Sequence, residues 1–118
     1  MRWLLLPLAL LAAGAAWAQD PGERDFQRCI SCHSVADPAE EGLPGPGLRG
    51  VLGRRAASQP GFAYSAALSA SGLVWDRATL DRFLADPEAL VPGTLMGLPP
   101  LRDAALRQRI IDYLARQG

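Results

Sequence analysis

The sequence of 118 residues predicts one small all-α domain with too few apolar helical faces to fill its own centre. Residues that start and end helices mark several short segments, whereas no two segments show the alternation expected of paired strands. The chain also contains 12 Gly and 10 Pro, many of them in two long stretches without a period. A domain of this kind needs an additional stabilising element, such as a metal, a disulfide or a cofactor.

The first eighteen residues have the pattern of a secretory signal peptide. Arg2 precedes an apolar run at 3–16, and the Ala-Trp-Ala that ends at Ala18 fits a small-x-small cleavage site. A membrane anchor is the alternative, but the run is short for a bilayer span and contains a proline and a glycine. We therefore expect 1–18 to be cleaved, 19–118 to be the mature domain, and the protein to be exported to a bacterial periplasm without stable membrane insertion.

The charge and cysteine content exclude two broad classes. All 12 basic residues are Arg, and they balance 12 acidic residues, so that loss of Arg2 with the signal peptide leaves a formal charge of −1. This balance argues against a nucleic-acid-binding protein that depends on phosphate attraction. Two cysteines are too few for a disulfide scaffold.

Four helices are predicted in the mature chain, and Asp20 and Asp76 can cap the N-termini of the first and the third. At the first, Pro21 suits the first helical position and Glu23 completes a capping-box pattern. The helices run from Asp20 to near His33, from Ser65 to Ser71 before Gly72, from Asp76 to Asp86-Pro87, and from Asp103 onward with Leu106, Ile110, Tyr113 and Leu114 on the buried face. Residues 37–61 and 90–101 are predicted to be irregular, and long irregular stretches in a compact domain usually serve a function or wrap a ligand.

The motif with the clearest chemistry is Cys29-Ile30-Ser31-Cys32-His33, a C-x-x-C-H haem attachment pattern. Residues three and four apart share a helix face, so both thiols can reach the vinyl groups of one porphyrin edge and His33 can reach the iron. A redox C-x-x-C needs a βαβ context, which is missing, and a zinc site needs a fourth protein ligand, for which no other Cys or His exists. A disulfide would close a very short loop and leave His33 unused. We therefore predict one haem c bound covalently through Cys29 and Cys32, with His33 as an iron ligand.

Met96 is the predicted second axial ligand. His33 is the only His, and Met96 is the only Met of the mature chain. A single Met is often core filler, but Met96 lies in a Gly-Pro loop rather than on an apolar helix face. His/Met ligation raises the reduction potential and fills both axial positions, which suits electron transfer rather than oxygen activation.

With these residues identified, the sequence resembles the class I cytochromes c, near the cytochrome c2 and mitochondrial-type group. The resemblance covers nearly all of the mature chain, from Gly22 to Leu114. The matching segments are Gly22 with Phe26, Gly45 to Gly50, Gly53-Arg54, Pro60 to Ser65, Gly72 to Trp75, and Tyr113-Leu114. The resemblance implies crossing N- and C-terminal helices, with helices and long loops wrapped around one haem.

The resemblance also implies roles for five further residues. The Pro46 carbonyl is expected to accept the second ring N–H of His33, which fixes the imidazole tautomer. Arg54, Tyr64, Trp75 and Thr94 are expected to surround the haem propionates, because a buried carboxylate is costly without donors. Without the haem motif, the aromatic residues would be read as core and Arg54 as a solvated loop charge.

Three positions depart from the family pattern. Phe83 stands where a Tyr hydroxyl would meet the Met sulfur, Leu98 replaces an aromatic residue, and Leu95 replaces a Lys. The missing Lys-rich docking face leaves two alternatives, an apolar rim or a set of arginines chosen from Arg28, Arg55, Arg82 and Arg102.

The function predicted from these residues is that of a soluble periplasmic one-electron carrier, monomeric and not an enzyme. Its partners would be transient redox proteins, such as an oxidase, a reductase or a dehydrogenase. One alternative is a dedicated electron-accepting subunit of a periplasmic dehydrogenase. A haem-based ligand sensor or small peroxidase is a further alternative. It would need an open or labile sixth iron site, and the loss of the Tyr hydroxyl at Phe83 weakens the surroundings of Met96.

Overall fold

The computed structural model describes residues 19–118, and the predicted signal peptide at 1–18 lies outside the described residues. The described part is helical, and its loops contain one isolated antiparallel bridge between Arg55 and Val74. In chain order the helices are α1 (Pro21–Phe26), a 3₁₀ segment (Gln27–Cys29), α2 (Ala66–Ala70), α3 (Arg77–Ala85), α4 (Pro87–Leu90) and α5 (Ala104–Ala115). Across residues 19–118, none of these helices has both the length and the apolar character that a membrane span requires.

The four predicted helix starts are confirmed by their capping hydrogen bonds. Each cap is a side-chain oxygen that accepts a backbone N–H of the first turn, which would otherwise lack a partner. The donors and their distances are Gly22 to Asp20 at 2.7 Å, Leu68 to Ser65 at 3.1 Å, Thr79 to Asp76 at 2.7 Å, and Ala105 to Asp103 at 2.9 Å.

The first helix ends earlier than predicted. Its α-helical part stops at Phe26 and passes into the 3₁₀ segment and a turn, instead of continuing to near His33. The backbone N–H groups of Cys32 and His33 both donate to the Cys29 carbonyl, at 3.1 and 2.9 Å. The chain therefore stays coiled through the C-x-x-C-H motif, with a 3₁₀-type bond from Cys32 beside an α-type bond from His33.

Two further features differ from the sequence prediction. Asp86-Pro87 ends α3 as expected, but Asp86 also caps the extra helix α4, with Pro87 at its first position. On α5 the deepest residue is Ile111, which is fully buried, beside Ile110 and Leu114. The predicted face omitted Ile111, because a helix enclosed on two sides has a wider buried face than a simple periodic stripe.

Helices α1 and α5 cross at Gly22, as expected. A Cβ atom at Gly22 would collide with the Arg109 carbonyl oxygen and would lie 2.7 Å from the Cβ of Tyr113. Next to this contact the rings of Phe26 and Tyr113 pack with centroids 5.2 Å apart. A residue without a side chain is thus what lets the two helix backbones approach.

We expect Gly22→Ala to destabilise the fold, because the new methyl group would meet the backbone of α5 rather than a movable side chain. Overpacking of this kind costs about 1–3 kcal/mol, and in a domain of this size each kcal/mol lowers the unfolding temperature by about 4–8 °C. Thermal unfolding followed by circular dichroism measures the effect. An unfolding temperature equal to that of the wild type would show that the helices can separate without cost.

Four ion pairs hold α5 against the neighbouring helices, and in each an Arg meets an Asp. Two join α5 and its C-terminal cap to α1 and its N-terminal cap, and two join α5 to α3. The pairs are Arg109–Asp25 at 2.6 Å, Arg116–Asp20, Arg77–Asp112 at 2.7 Å and Arg107–Asp81 at 2.8 Å.

Candidate haem site

The residues predicted to form the site line one cavity, which lies between the helices and the long loops. Its volume is about 510 Å³, within the usual range of small-molecule and cofactor sites. All nine predicted residues lie on its wall, namely Cys29, Cys32, His33, Pro46, Arg54, Tyr64, Trp75, Thr94 and Met96. Much of the remaining wall is apolar, with side chains such as Leu68, Leu80, Phe83, Leu98 and Ile110. The cavity therefore corresponds to the space at the centre of the domain that, from the sequence, the helices were expected to leave unfilled.

His33 is held with one ring nitrogen engaged. Its Nδ1 lies 2.8 Å from the carbonyl oxygen of Pro46, so Nδ1–H donates and Nε2 carries the lone pair. Burial lowers the pKa of His33, although the hydrogen bond to Pro46 acts in the opposite direction. A neutral imidazole with a free Nε2 is the form that binds a metal.

Gly45 forms the surface on which the His33 ring rests. A Cβ atom at Gly45 would lie 2.5 Å from Cε1 and 2.7 Å from Nδ1 of the ring. The Gly45 N–H also donates to the Cys32 carbonyl at 2.8 Å, which joins this loop to the C-x-x-C-H motif. Gly45 lies in a segment that resembles the family, but no role for this residue was predicted from the sequence.

The two thiols lie at the wall of the same cavity and are not joined by a disulfide. Burial raises the pKa of Cys29 to about 11, against a smaller opposing influence of Arg28. Redox-active C-x-x-C thiols have lowered pKa values instead. The described residues also contain no cluster of three or more His, Cys, Asp or Glu side chains that could hold a metal. The cavity, the two thiols and the free Nε2 together fit a covalently attached haem better than a redox dithiol or a zinc ion.

Comparison with known proteins places the chain among its relatives. No protein-family model matches it. It is 42% identical over 120 residues to a cytochrome c2 of Rhodomicrobium vannielii, an alignment that covers 95% of each chain. The solved structure of cytochrome cH from Methylobacterium extorquens matches with a TM-score of 0.75 and 43% identity, covering 80% of this chain and 94% of that one. The chain belongs to the class I cytochrome c family.

A second solved structure agrees with this assignment. Cytochrome c2 from Rhodospirillum centenum matches with a TM-score of 0.77 and 34% identity, over 85% of this chain and 99% of that one. As a class I cytochrome c, the protein carries one haem c bound covalently through Cys29 and Cys32, and it serves electron transport. The predicted fold class is thereby confirmed.

A polar network forms part of the cytochrome's cavity wall. The guanidinium of Arg54 donates to the Gly47 carbonyl at 2.8 Å and to Oε1 of Gln59 at 2.6 Å, with a longer contact of 3.4 Å to the Arg49 carbonyl. The backbone N–H of Gln59 donates in turn to the Tyr64 hydroxyl at 3.2 Å. Gln59 connects two predicted site residues, and sequence reasoning missed it, because a glutamine in an irregular loop carries no pattern.

The loop that carries Met96 is anchored on both sides of that residue. Thr94, which is buried, accepts the Met96 N–H on Oγ1 at 3.3 Å, and its own N–H donates to the Val91 carbonyl at 3.0 Å. Further along, the Leu101 N–H donates to the Leu84 carbonyl of α3 at 3.0 Å. The Met96 side chain is thus presented to the cytochrome's cavity by a loop with fixed ends.

The three departures from the family pattern also lie at the cavity wall. Phe83 is buried and packs against Trp75 with ring centroids 5.0 Å apart, where it offers no hydroxyl to the cavity. Leu98 is partly buried against the core of the cytochrome. Leu95, next to Met96, is 82% exposed. The surface beside the Met96 loop is therefore apolar at the position where the family pattern has a Lys.

Proposed function

We propose that this cytochrome is a periplasmic one-electron carrier whose iron is held between His33 and Met96. The observation that carries the proposal is that both residues lie on the wall of the same cavity, where Nδ1 of His33 already donates to Pro46. Bound haem supplies the ferric/ferrous couple. The protein would contribute the two donor side chains, His33 held by its bond to Pro46 and Met96 held by its anchored loop.

We propose that Arg54, Tyr64, Trp75 and Thr94 face the haem carboxylates. Their support is a shared cavity wall and the chemistry of their donors, a guanidinium, two hydroxyls and an indole N–H. In the described part of the chain the cavity wall includes three arginines and no Asp or Glu. Two carboxylates placed there would meet hydrogen-bond donors and positive charge instead of an uncompensated apolar wall.

Export to the periplasm is part of the proposal and rests on residues 1–18. The n-region, apolar run and small-x-small site predict cleavage after Ala18. Intact-mass measurement of the exported protein tests this together with haem attachment. The expected mass is that of residues 19–118 plus one haem, and a mass equal to the bare polypeptide would contradict the cofactor assignment.

The proposed ligation predicts a low-spin spectrum in both oxidation states and one reversible one-electron transition. The reason is that two protein ligands leave no open iron position for water, carbon monoxide or peroxide. An optical redox titration of the purified holoprotein measures both properties, and the ferric form should show the far-red band of a sulfur-to-iron transition. A high-spin spectrum, or rapid binding of carbon monoxide, would instead support the sensor or peroxidase alternative.

One observation favours a permanent partner as a second candidate. The exposed apolar side chains of Leu95 and Ile30, 82% and 48% exposed, flank Met96 and the haem-binding cysteines in sequence. A free carrier docks weakly and over a small interface, so this cytochrome should elute alone and as a monomer in gel filtration with candidate dehydrogenases. A stable co-eluting complex would favour the dedicated subunit.

A further inference from the structure

Gln59 lies behind the cavity wall and contacts two groups that lie on it. Its side-chain oxygen accepts from the Arg54 guanidinium at 2.6 Å, and its backbone N–H donates to the Tyr64 hydroxyl at 3.2 Å. Gln59 itself is not part of the cavity lining. Its contacts therefore act on the cavity only through Arg54 and Tyr64.

The hydrogen-bond partners of Arg54 do not neutralise its positive charge. Within residues 19–118 its hydrogen-bond acceptors are two backbone carbonyls and the neutral amide of Gln59, and none of the ion pairs includes it. The paired arginines on α5 are different, because each faces an aspartate. A partly buried guanidinium held only by neutral acceptors keeps its positive potential toward the cavity.

The contact between Gln59 and Tyr64 leaves the Tyr64 hydroxyl free to donate toward the cavity. Because the hydroxyl oxygen accepts the Gln59 N–H, its own hydrogen is free to donate in another direction. The Tyr64 ring is also packed edge-on against Phe62, with centroids 4.9 Å apart. The hydroxyl is thus held at the cavity wall, and its O–H group remains available as a hydrogen-bond donor.

We propose that Gln59 is a positioning residue that holds the Arg54 guanidinium and the Tyr64 hydroxyl toward the haem carboxylates, while the Arg54 charge stays unpaired with any Asp or Glu of residues 19–118. The inference rests on the proposed placement of Arg54 and Tyr64 at those carboxylates. A positive charge that offsets the haem carboxylates favours the ferrous over the ferric state, since the ferric site carries one more positive charge. Gln59 therefore helps to keep the reduction potential high.

The test compares Gln59→Glu with Gln108→Glu in the purified holoprotein, using optical redox titration. Both variants add one negative charge, but Gln108 is exposed on α5 and does not line the cavity. A carboxylate introduced by Gln59→Glu would pair with Arg54 and cancel its charge at the cavity wall. We expect the reduction potential to fall clearly further in Gln59→Glu than in Gln108→Glu. Equal shifts in the two variants would overturn the inference.

A second variant covers the case in which Gln59→Glu yields no holoprotein. Gln59→Met keeps the side-chain length and removes the acceptor, so we expect a lower unfolding temperature and a smaller fall in potential than Gln59→Glu causes. Wild-type values for both quantities would overturn the positioning role.

Arg54→Gln separates this inference from the proposal on which it rests. If Arg54→Gln leaves the potential unchanged, Arg54 does not face the haem carboxylates and the proposed function loses that part. Arg54→Gln can also lower the potential while Gln59→Glu shifts it no more than Gln108→Glu does and Gln59→Met keeps the wild-type values. In that case only the role of Gln59 fails.

Discussion

Replacing Met96 with alanine is expected to lower the reduction potential sharply and to open the iron to added ligands. In the proposed site Met96 is the one sulfur donor opposite His33, and the wall around it is apolar, with Phe83, Leu98 and Leu68 among the lining residues. Residues 19–118 contain no second His or Met and the chain has no Lys, so no donor of these kinds can take its place. We expect a fall on the order of a few tenths of a volt, since axial ligands tune haem potentials over about 0.8 V. Redox titration and carbon monoxide binding by the ferrous protein measure the two effects.

Two control variants make the Met96 result specific. Leu98→Ala removes a side chain of similar size from the same cavity wall and should change the potential little while leaving carbon monoxide binding slow. Met96→His supplies a nitrogen donor, so it should keep the iron closed at a lower potential. If Met96→Ala behaved like Leu98→Ala, Met96 would be a packing residue and the proposed ligation would be wrong.

Gly45→Ala should cause the largest loss of stability and disturb the proposed iron ligand His33. The added Cβ would lie 2.5 Å from Cε1 and 2.7 Å from Nδ1 of His33, and 2.8 Å from the Cys32 carbonyl oxygen. Relief requires the loop to move away from His33, which breaks the 2.8 Å bond between His33 and Pro46. We expect a cost of about 3 kcal/mol, at the upper end for an overpacked site, and a raised reduction potential, because an imidazole that loses its carbonyl partner donates less strongly and stabilises the ferric iron less.

The matched control for this prediction is Gly47→Ala, two residues further along the same loop. Its Cβ would meet only the methyl group of Ala39, at 3.1 Å, as a close neighbour. Thermal unfolding and redox titration of the two holoprotein variants should therefore give a small effect for Gly47→Ala and a large one for Gly45→Ala. Similar effects would mean that the loop is sensitive to any added side chain and that the contact with His33 has no special importance.

Local chemistry explains which parts of the fold the sequence predicted well. Asp20, Ser65, Asp76 and Asp103 each begin a helix because a short polar side chain can satisfy the first free N–H groups, a requirement that does not depend on the rest of the fold. Helix ends and burial depend on neighbouring elements instead. The early end of α1 coincides with the 3₁₀ segment Gln27–Cys29, and the burial of Ile111 follows from packing that no single segment encodes.

The candidate site shows the same division. Cys29, Cys32 and His33 could be identified because their spacing is a chemical pattern, and Met96 could be chosen because the mature chain contains no other Met. Arg54, Tyr64, Trp75 and Thr94 came from the resemblance, and the structure brings all of them to one cavity. Gln59 could not be predicted, since its importance lies in a contact of 2.6 Å that exists only after residues 54–64 have folded into their loop.

The exclusive use of arginine in the ion pairs around α5 has a consequence in strongly acidic and alkaline solution. A guanidinium keeps its proton far into the alkaline range, so base leaves the arginine of each pair charged. For Asp20, burial acts to raise the pKa, but hydrogen bonds from the Gly22 and Glu23 N–H groups and the nearby Arg116 together lower it. A carboxyl with a lowered folded pKa stabilises the fold above its unfolded pKa, and this contribution disappears as the pH falls through the folded value. The Arg116–Asp20 pair between the caps of α5 and α1 is thus lost in acid, below about pH 4, and is retained in base.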